Sequence, residues 1–128
     1  MTCFVETDFL LALLKDDDWL KGRAEMILEE RTVVTSPLSY LELLFVLDGE
    51  AFDFERLYAN LLELVPVGSD DERQLVLKAA GYVAEGLTPF DAYHAATAET
   101  RGLPICSSDR AYDGVDPERV PLEPTDSE

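Results

Sequence analysis

Thr88-Pro89-Phe90-Asp91-Ala92-Tyr93-His94-Ala95-Ala96-Thr97-Ala98 decides how the rest of the chain is read. Thr88 is a capping residue, Pro89 suits the first helical position, and Asp91 falls three residues after the cap. The alanines that follow keep one side of this helix slim, so its backbone can approach a sheet closely. Leu103-Pro104-Ile105-Cys106 comes next as a strand and delivers Ser107, Ser108 and Asp109. Two acids, Asp91 and Asp109, are therefore expected at the ends of adjacent rigid elements.

The same alternation runs through the chain. Thr2-Cys3-Phe4-Val5 is a short apolar strand ending in Glu6-Thr7-Asp8, where Thr7 or Asp8 caps a helix over Phe9–Lys15. Asp16-Asp17-Asp18 opens a second helix, Trp19–Glu30, with acids at its positive end; a solvated helix start accounts for that run. Arg31–Thr35 is β-branched and reads as a strand. Ser36-Pro37 repeats the cap-and-proline signal before a helix over Pro37–Leu47, which Gly49 helps to end. Phe54–Leu64 carries Leu57, Leu61 and Leu64 on one stripe. Val65-Pro66-Val67 reads as a short strand, placed at an edge by its proline. Ser69-Asp70-Asp71-Glu72 is a capping box for a helix over Asp71–Ala84, and Gly86 breaks that helix. After Asp109 come a turn through Tyr112 and Gly114 and a last short run, Arg119–Leu122. Strands alternating with helices predict an α/β fold: a three-layer α/β/α sandwich with a central parallel sheet. One domain is expected over 1–122, with a polar, frayed tail over 123–128. In such sheets, sites form beyond the carboxyl ends of the strands.

At 128 residues and 47% apolar content the chain can bury one sizeable core, which excludes a disordered acidic tail. No apolar run nears the roughly 18 residues that span a bilayer, and no basic-then-apolar leader opens the chain. A cytoplasmic protein without a membrane segment is expected. Asp and Glu number 27 against 10 Lys and Arg, a formal net charge of −17, and the lysines are only Lys15, Lys21 and Lys78. Such a surface repels nucleic acid at low salt. It also resembles the surfaces of proteins from salt-accumulating halophiles, because at molar salt the Debye length is only about 3 Å and self-repulsion is screened. An acidic protein with a basic partner is the other reading. Cys3 and Cys106 fit no metal spacing and are expected as buried, reduced thiols in strands, close together if those strands are neighbours.

The acids carry the chemistry. Glu6 follows the first strand and Asp109 a late one, so parallel strands send both to one sheet edge. Glu42 lies in a helix, Leu38–Leu47, that is apolar almost all round, with Ser39 three residues earlier. A cation between helix and sheet would explain both; a single solvent-facing stripe would explain Glu42 equally well. Asp91 can complete a capping box with Thr88, His94 can be a packed core histidine, and Asp109 can cap a short turn after Ser107. What distinguishes Glu6, Glu42, Asp91 and Asp109 is their shared placement, each at a helix start, within a helix or just after a strand. Oxygen ligands of this kind suit Mg²⁺ or Mn²⁺ rather than zinc. Carboxylates holding such ions are the usual apparatus for phosphodiester hydrolysis, and the cations invert the local negative field.

Glu6-Thr7-Asp8-Phe9-Leu10, Ser39-Tyr40-Leu41-Glu42, Asp91 to Ala98, and Cys106-Ser107-Ser108-Asp109-Arg110-Ala111-Tyr112 resemble, in order, the motifs of the PIN-domain family, and the size is similar to the VapC-type toxin ribonucleases of toxin–antitoxin pairs. The resemblance implies a parallel sheet between helices and Mg²⁺- or Mn²⁺-dependent cleavage of RNA. It matches Glu42, Asp91 and Asp109 to the family's acids, and Thr7, Asp8 and Ser107 to supporting polar positions; Ser39, three residues before Glu42, is a further supporting candidate, and Asp113, close to Asp109, a lesser one. The family's first motif normally begins with Asp, and Glu6 stands there. One extra methylene carries its oxygens about 1.5 Å farther. The resemblance also implies a small antitoxin partner and a homodimer, for which apolar residues of Phe45–Leu47 and Phe52–Leu62 are candidates. Two other classes compete. A PIN-like binding module without catalysis is favoured by Glu6. A phosphoacceptor receiver domain needs a late lysine, and none follows Lys78.

Overall fold

The computed structural model describes residues 2–124. The expected tail over 123–128 falls largely outside them. The elements in order are β1 (Thr2–Phe4), α1 (Thr7–Leu14), α2 (Lys21–Glu30), β2 (Thr32–Val34), α3 (Pro37–Val46), α4 (Phe54–Leu64), α5 (Asp70–Ala84), α6 (Pro89–Arg101), β3 (Ile105–Ser107), a 3-10 helix (Arg110–Gly114) and β4 (Arg119–Pro121). The fold is α/β, with helices dominant and strands short. β1 pairs in parallel with β2 (Cys3 opposite Val33), and β3 pairs in parallel with β4 (Cys106 opposite Val120). Among the described residues these are two separate two-stranded sheets.

Several local expectations shift. Helix α1 starts at Thr7, with Glu6 at its N-cap and no side-chain cap. Asp16–Asp18 forms a turn before α2 rather than its first helical turn; Asp18 accepts from the Leu20 amide at 2.8 Å, and Trp19 stands 88% exposed. Asx chemistry favours the turn over a helix start there. Val65–Val67 is not a strand, although the Thr35 amide, just past β2, donates to the Pro66 carbonyl at 2.9 Å. The capping box of α5 is split. Ser69 Oγ accepts from Glu72 N, while Glu72 Oε2 accepts from Gly68 N, one residue earlier than the usual return bond. Gly102 ends α6 at φ +65°, a conformation that favours glycine, and the Leu103 amide bonds back to Ala98 O.

Helix α3 is the centre of the larger core. Tyr40, Leu43, Leu44 and Leu47 are buried against Leu10, Val33, Tyr58, Leu62 and Val76. Its other face, Leu38, Glu42, Phe45 and Val46, is exposed. The Tyr40 hydroxyl donates to Val65 O at 2.7 Å and the Tyr58 hydroxyl to Tyr40 O at 2.7 Å, so two buried phenols satisfy two buried carbonyls. The slim face of α6 has a different neighbour from the sheet alone. Ala92, Ala95 and Ala96 pack with Ala79 and Tyr82 of α5 and with Tyr112, with Ile105 of β3 alongside. The cysteines also depart from expectation: Cys3 is half-buried beside Arg31, Cys106 is exposed, and their strands belong to different pairs.

Lys78 of α5 forms an ion pair with Glu99 of α6, and the Tyr82 hydroxyl donates to Glu99 at 2.5 Å. Burial pushes the Glu99 carboxyl up, but the bonds from Lys78 and Tyr82 together outweigh it and hold its pKa below the ordinary 4.5. A depressed acid binds its proton more weakly folded than unfolded. Its stabilisation is therefore complete above the ordinary value and lost as pH falls through the folded one. Urea unfolding across pH 3–6 is expected to show an acid limb that Glu99→Gln flattens; identical limbs in both proteins would refute the assignment.

Candidate active site

One polar knot and one hydrogen-bonded bridge gather most of the expected residues. The knot lies where β1 and β2 end and α1 and α3 begin. Thr7, Thr35 and Ser39 are the buried polar residues of the described chain, and they meet there. Thr7 Oγ1 donates to the Ser39 carbonyl at 3.3 Å; Thr35 Oγ1 donates to the Val5 carbonyl at 2.7 Å and lies 2.8 Å from Ser39 Oγ. These bonds fix the chain around Glu6, which is itself exposed. Thr35 is not among the residues that the sequence singles out. Its signal is a hydroxyl closing a β-branched strand immediately before Ser36-Pro37.

The bridge joins Asp91 to Asp109. Thr88 caps α6 by accepting from Asp91 N at 3.4 Å, so the helix start forms as its sequence predicts. The Asp91 side chain, however, faces Tyr112, whose hydroxyl donates to Oδ1 at 3.1 Å. Tyr112 is 5% exposed and lies in the 3-10 helix that Asp109 caps, with Asp109 Oδ1 accepting from Ala111 N at 2.9 Å and Ser107 Oγ accepting from Asp109 N at 3.0 Å. Burial, then the bond to Asp91, pushes the Tyr112 phenol up to about 12, so it remains a donor at neutral pH. Asp91 and Asp109 each have Oδ1 engaged, which leaves Oδ2 as the atom available to a cation. Tyr112 too escapes a reading of the sequence as a working residue, although it stands three positions after Asp109. His94, Ser107 and Tyr112 line one open hollow of about 420 Å³ along β3 and α6.

Other candidates stand apart. Glu42 lies on the exposed face of α3, so the solvent-facing stripe accounts for it, while Ser39 points into the core and does not share that face. Asp8 is exposed and borders a groove between α1 and α2 with Arg23 and Ala24. Asp113 is engaged by Arg119, 2.5 Å away. Among the described residues no three acids, histidines or cysteines converge as a cage for a metal ion. The topology supplies the reason: Glu6 follows β1 and Asp109 follows β3, and these strands belong to different pairs. The donor chemistry at Asp91 and Asp109, hard carboxylate oxygens with ordered partners, still fits Mg²⁺ or Mn²⁺.

The α/β chain thus sets acids at a strand end, a helix start and a 3-10 cap. The match to known families makes this specific: the PIN domain covers residues 3–117, and the chain belongs to that family. PIN domains are commonly metal-dependent nucleases. No curated protein matches the chain. No helix among the described residues is long and apolar enough to cross a membrane.

Proposed function

We propose that this protein is a Mg²⁺- or Mn²⁺-dependent endoribonuclease of the VapC type, the toxin of a toxin–antitoxin pair. The observation that carries the reading is the Asp91–Tyr112–Asp109 bridge within a chain of the PIN family. In this reading Asp91 and Asp109 hold the ion; Glu6 at the end of β1 and Glu42 on the exposed face of α3 would join them only in an arrangement that brings the two strand pairs together as one central sheet of a three-layer sandwich. A bound ion would supply an activated water and offset charge on the phosphate. The chain's own contribution is placement: Tyr112 keeps one Asp91 oxygen occupied, the Ala111 amide does the same for Asp109, and the Thr7–Thr35–Ser39 knot fixes the backbone beside Glu6.

The partner and source readings follow from charge. A surface of −17 attracts a basic antitoxin segment and disfavours a homodimer until salt screens it. Phe45, Val46 and Phe52 are exposed and available to such contacts, whereas Leu47, Leu61 and Leu62 belong to the core. A halophilic, cytoplasmic setting is consistent with this balance.

The test is cleavage of structured and single-stranded RNA at molar KCl. Expected is Mn²⁺-dependent cutting that EDTA abolishes, together with a Mn²⁺-dependent rise in melting temperature. No cutting and no rise would select the second reading, a PIN-like binding module. Glu6 favours that reading, being one methylene longer than the aspartate usual at that position and set at the exposed N-cap of α1.

A further inference from the structure

Nothing in the sequence around Arg119 singles it out, and it lies beyond residue 117, where the family match ends. Its side chain is only 8% exposed, in a protein with few cations. The guanidinium makes a set of directed bonds. Nε donates to Asp113 Oδ1 at 2.5 Å, and Nη1 donates to the Ser107 carbonyl at 2.8 Å and to Glu123 Oε1 and Oε2 at 3.0 and 3.2 Å. Backbone pairing places it: Arg119 stands opposite Ile105 in the β3–β4 register, and the Leu122 amide donates to the same Ser107 carbonyl at 3.3 Å.

These contacts bracket Asp109. Ser107 is the last residue of β3 and Asp113 sits in the 3-10 helix, so one planar cation ties down the segment on both sides of the acid. Tyr112 fixes the same segment to Asp91. Without Arg119 the two carboxylates of Asp113 and Glu123 would face each other's charge, and the Ser107 carbonyl would lose one of its two donors. A lysine cannot replace the arrangement, because an ammonium is a point charge and lacks the rigid fork that serves Asp113, Ser107 and Glu123 together.

We propose that Arg119 is a positioning residue that sets Asp109 against Asp91 and so tunes the affinity of the site for its divalent cation. The inference rests on the metal-dependent reading above. Residues orienting a metal ligand typically change metal affinity by about 10–100-fold when removed.

The test compares wild type, Arg119→Lys and Lys78→Met. Lys78→Met breaks the ion pair with Glu99, which links α5 to α6 outside the proposed site, and so controls for general loss of stability. Mn²⁺ affinity is read from the Mn²⁺-dependent shift in melting temperature, and the order of the segment from amide hydrogen exchange over residues 107–114. Arg119→Lys is expected to weaken Mn²⁺ binding about tenfold and to speed exchange across 107–114, while Lys78→Met lowers the melting temperature with Mn²⁺ affinity unchanged. Equal Mn²⁺ affinity in wild type and Arg119→Lys overturns the proposal, as does an equal loss in Lys78→Met. A wild type that shows no Mn²⁺ shift would instead refute the metal-dependent reading; exchange then judges the clamp alone, and unaltered protection over 107–114 overturns it. If Arg119→Lys does not fold, Glu123→Gln weakens the clamp from its solvent side. A smaller change in the same direction supports the proposal, and none overturns it.

Discussion

Asp91→Asn is expected to lower Mn²⁺-dependent RNA cleavage by about a hundredfold or more, while the protein stays folded. Losing even an outer partner at a metal site costs up to about a hundredfold, and Asp91 is proposed as a direct ligand. The substitution is nearly isosteric. The side-chain carbonyl oxygen of the introduced asparagine can still accept from Tyr112, and the α6 cap uses the backbone amide at this position, which is retained. What disappears is the negative charge and the second carboxylate oxygen. Melting temperature without metal should therefore move little, and its rise with Mn²⁺ should shrink. A variant that cuts RNA as fast as wild type would show that the activity belongs to another site or to a contaminant.

The largest effect on stability is expected at Tyr40, far from solvent. Tyr40→Ala should cost about 3–5 kcal/mol in urea unfolding, the range for removing a large buried ring. The ring is fully buried, lies 5.2 Å from that of Tyr58, and places its hydroxyl on Val65 O. Tyr40→Phe separates the contributions. It keeps the ring but strips Val65 O of a donor, at a cost of about 1–3 kcal/mol. A loss in Tyr40→Ala no greater than in Tyr40→Phe would mean that the ring packs less well than its burial implies.

The parts of the fold that are legible in the sequence are those governed by local chemistry. Ser36-Pro37, Ser69 and Thr88-Pro89 each start a helix where expected, because caps depend on neighbours a few residues away. Long-range pairing is less legible. Nothing in Thr2–Phe4 or Ile105–Ser107 states which strand lies beside it, so one central sheet is expected where two parallel pairs occur among the described residues. Glu42 shows the same limit: its helix reads as apolar all round, yet Leu38, Glu42, Phe45 and Val46 fall on one exposed face while Tyr40, Leu43, Leu44 and Leu47 fill the core. Asp91 and Asp109 stand out by their positions after a cap and a strand. Tyr112, which bonds Asp91, and Arg119, which bonds the residues flanking Asp109, do not, because a tyrosine in a turn and an arginine in a short strand acquire meaning only from residues up to 21 positions away.

The division of the strands has a consequence for how the protein behaves at high concentration. β1 and β3 each have one hydrogen-bonding edge with no strand partner among the described residues, and Phe4 and Cys106 stand exposed on them. Such edges are templates for strand addition between copies, the first step of aggregation. Here the main guard is the shared negative charge, which keeps molecules apart most strongly when ions are scarce. Concentrated salt relieves the repulsion inside each molecule and lowers this barrier between molecules at the same time, so the conditions that favour the folded chain also bring its open edges within reach of one another.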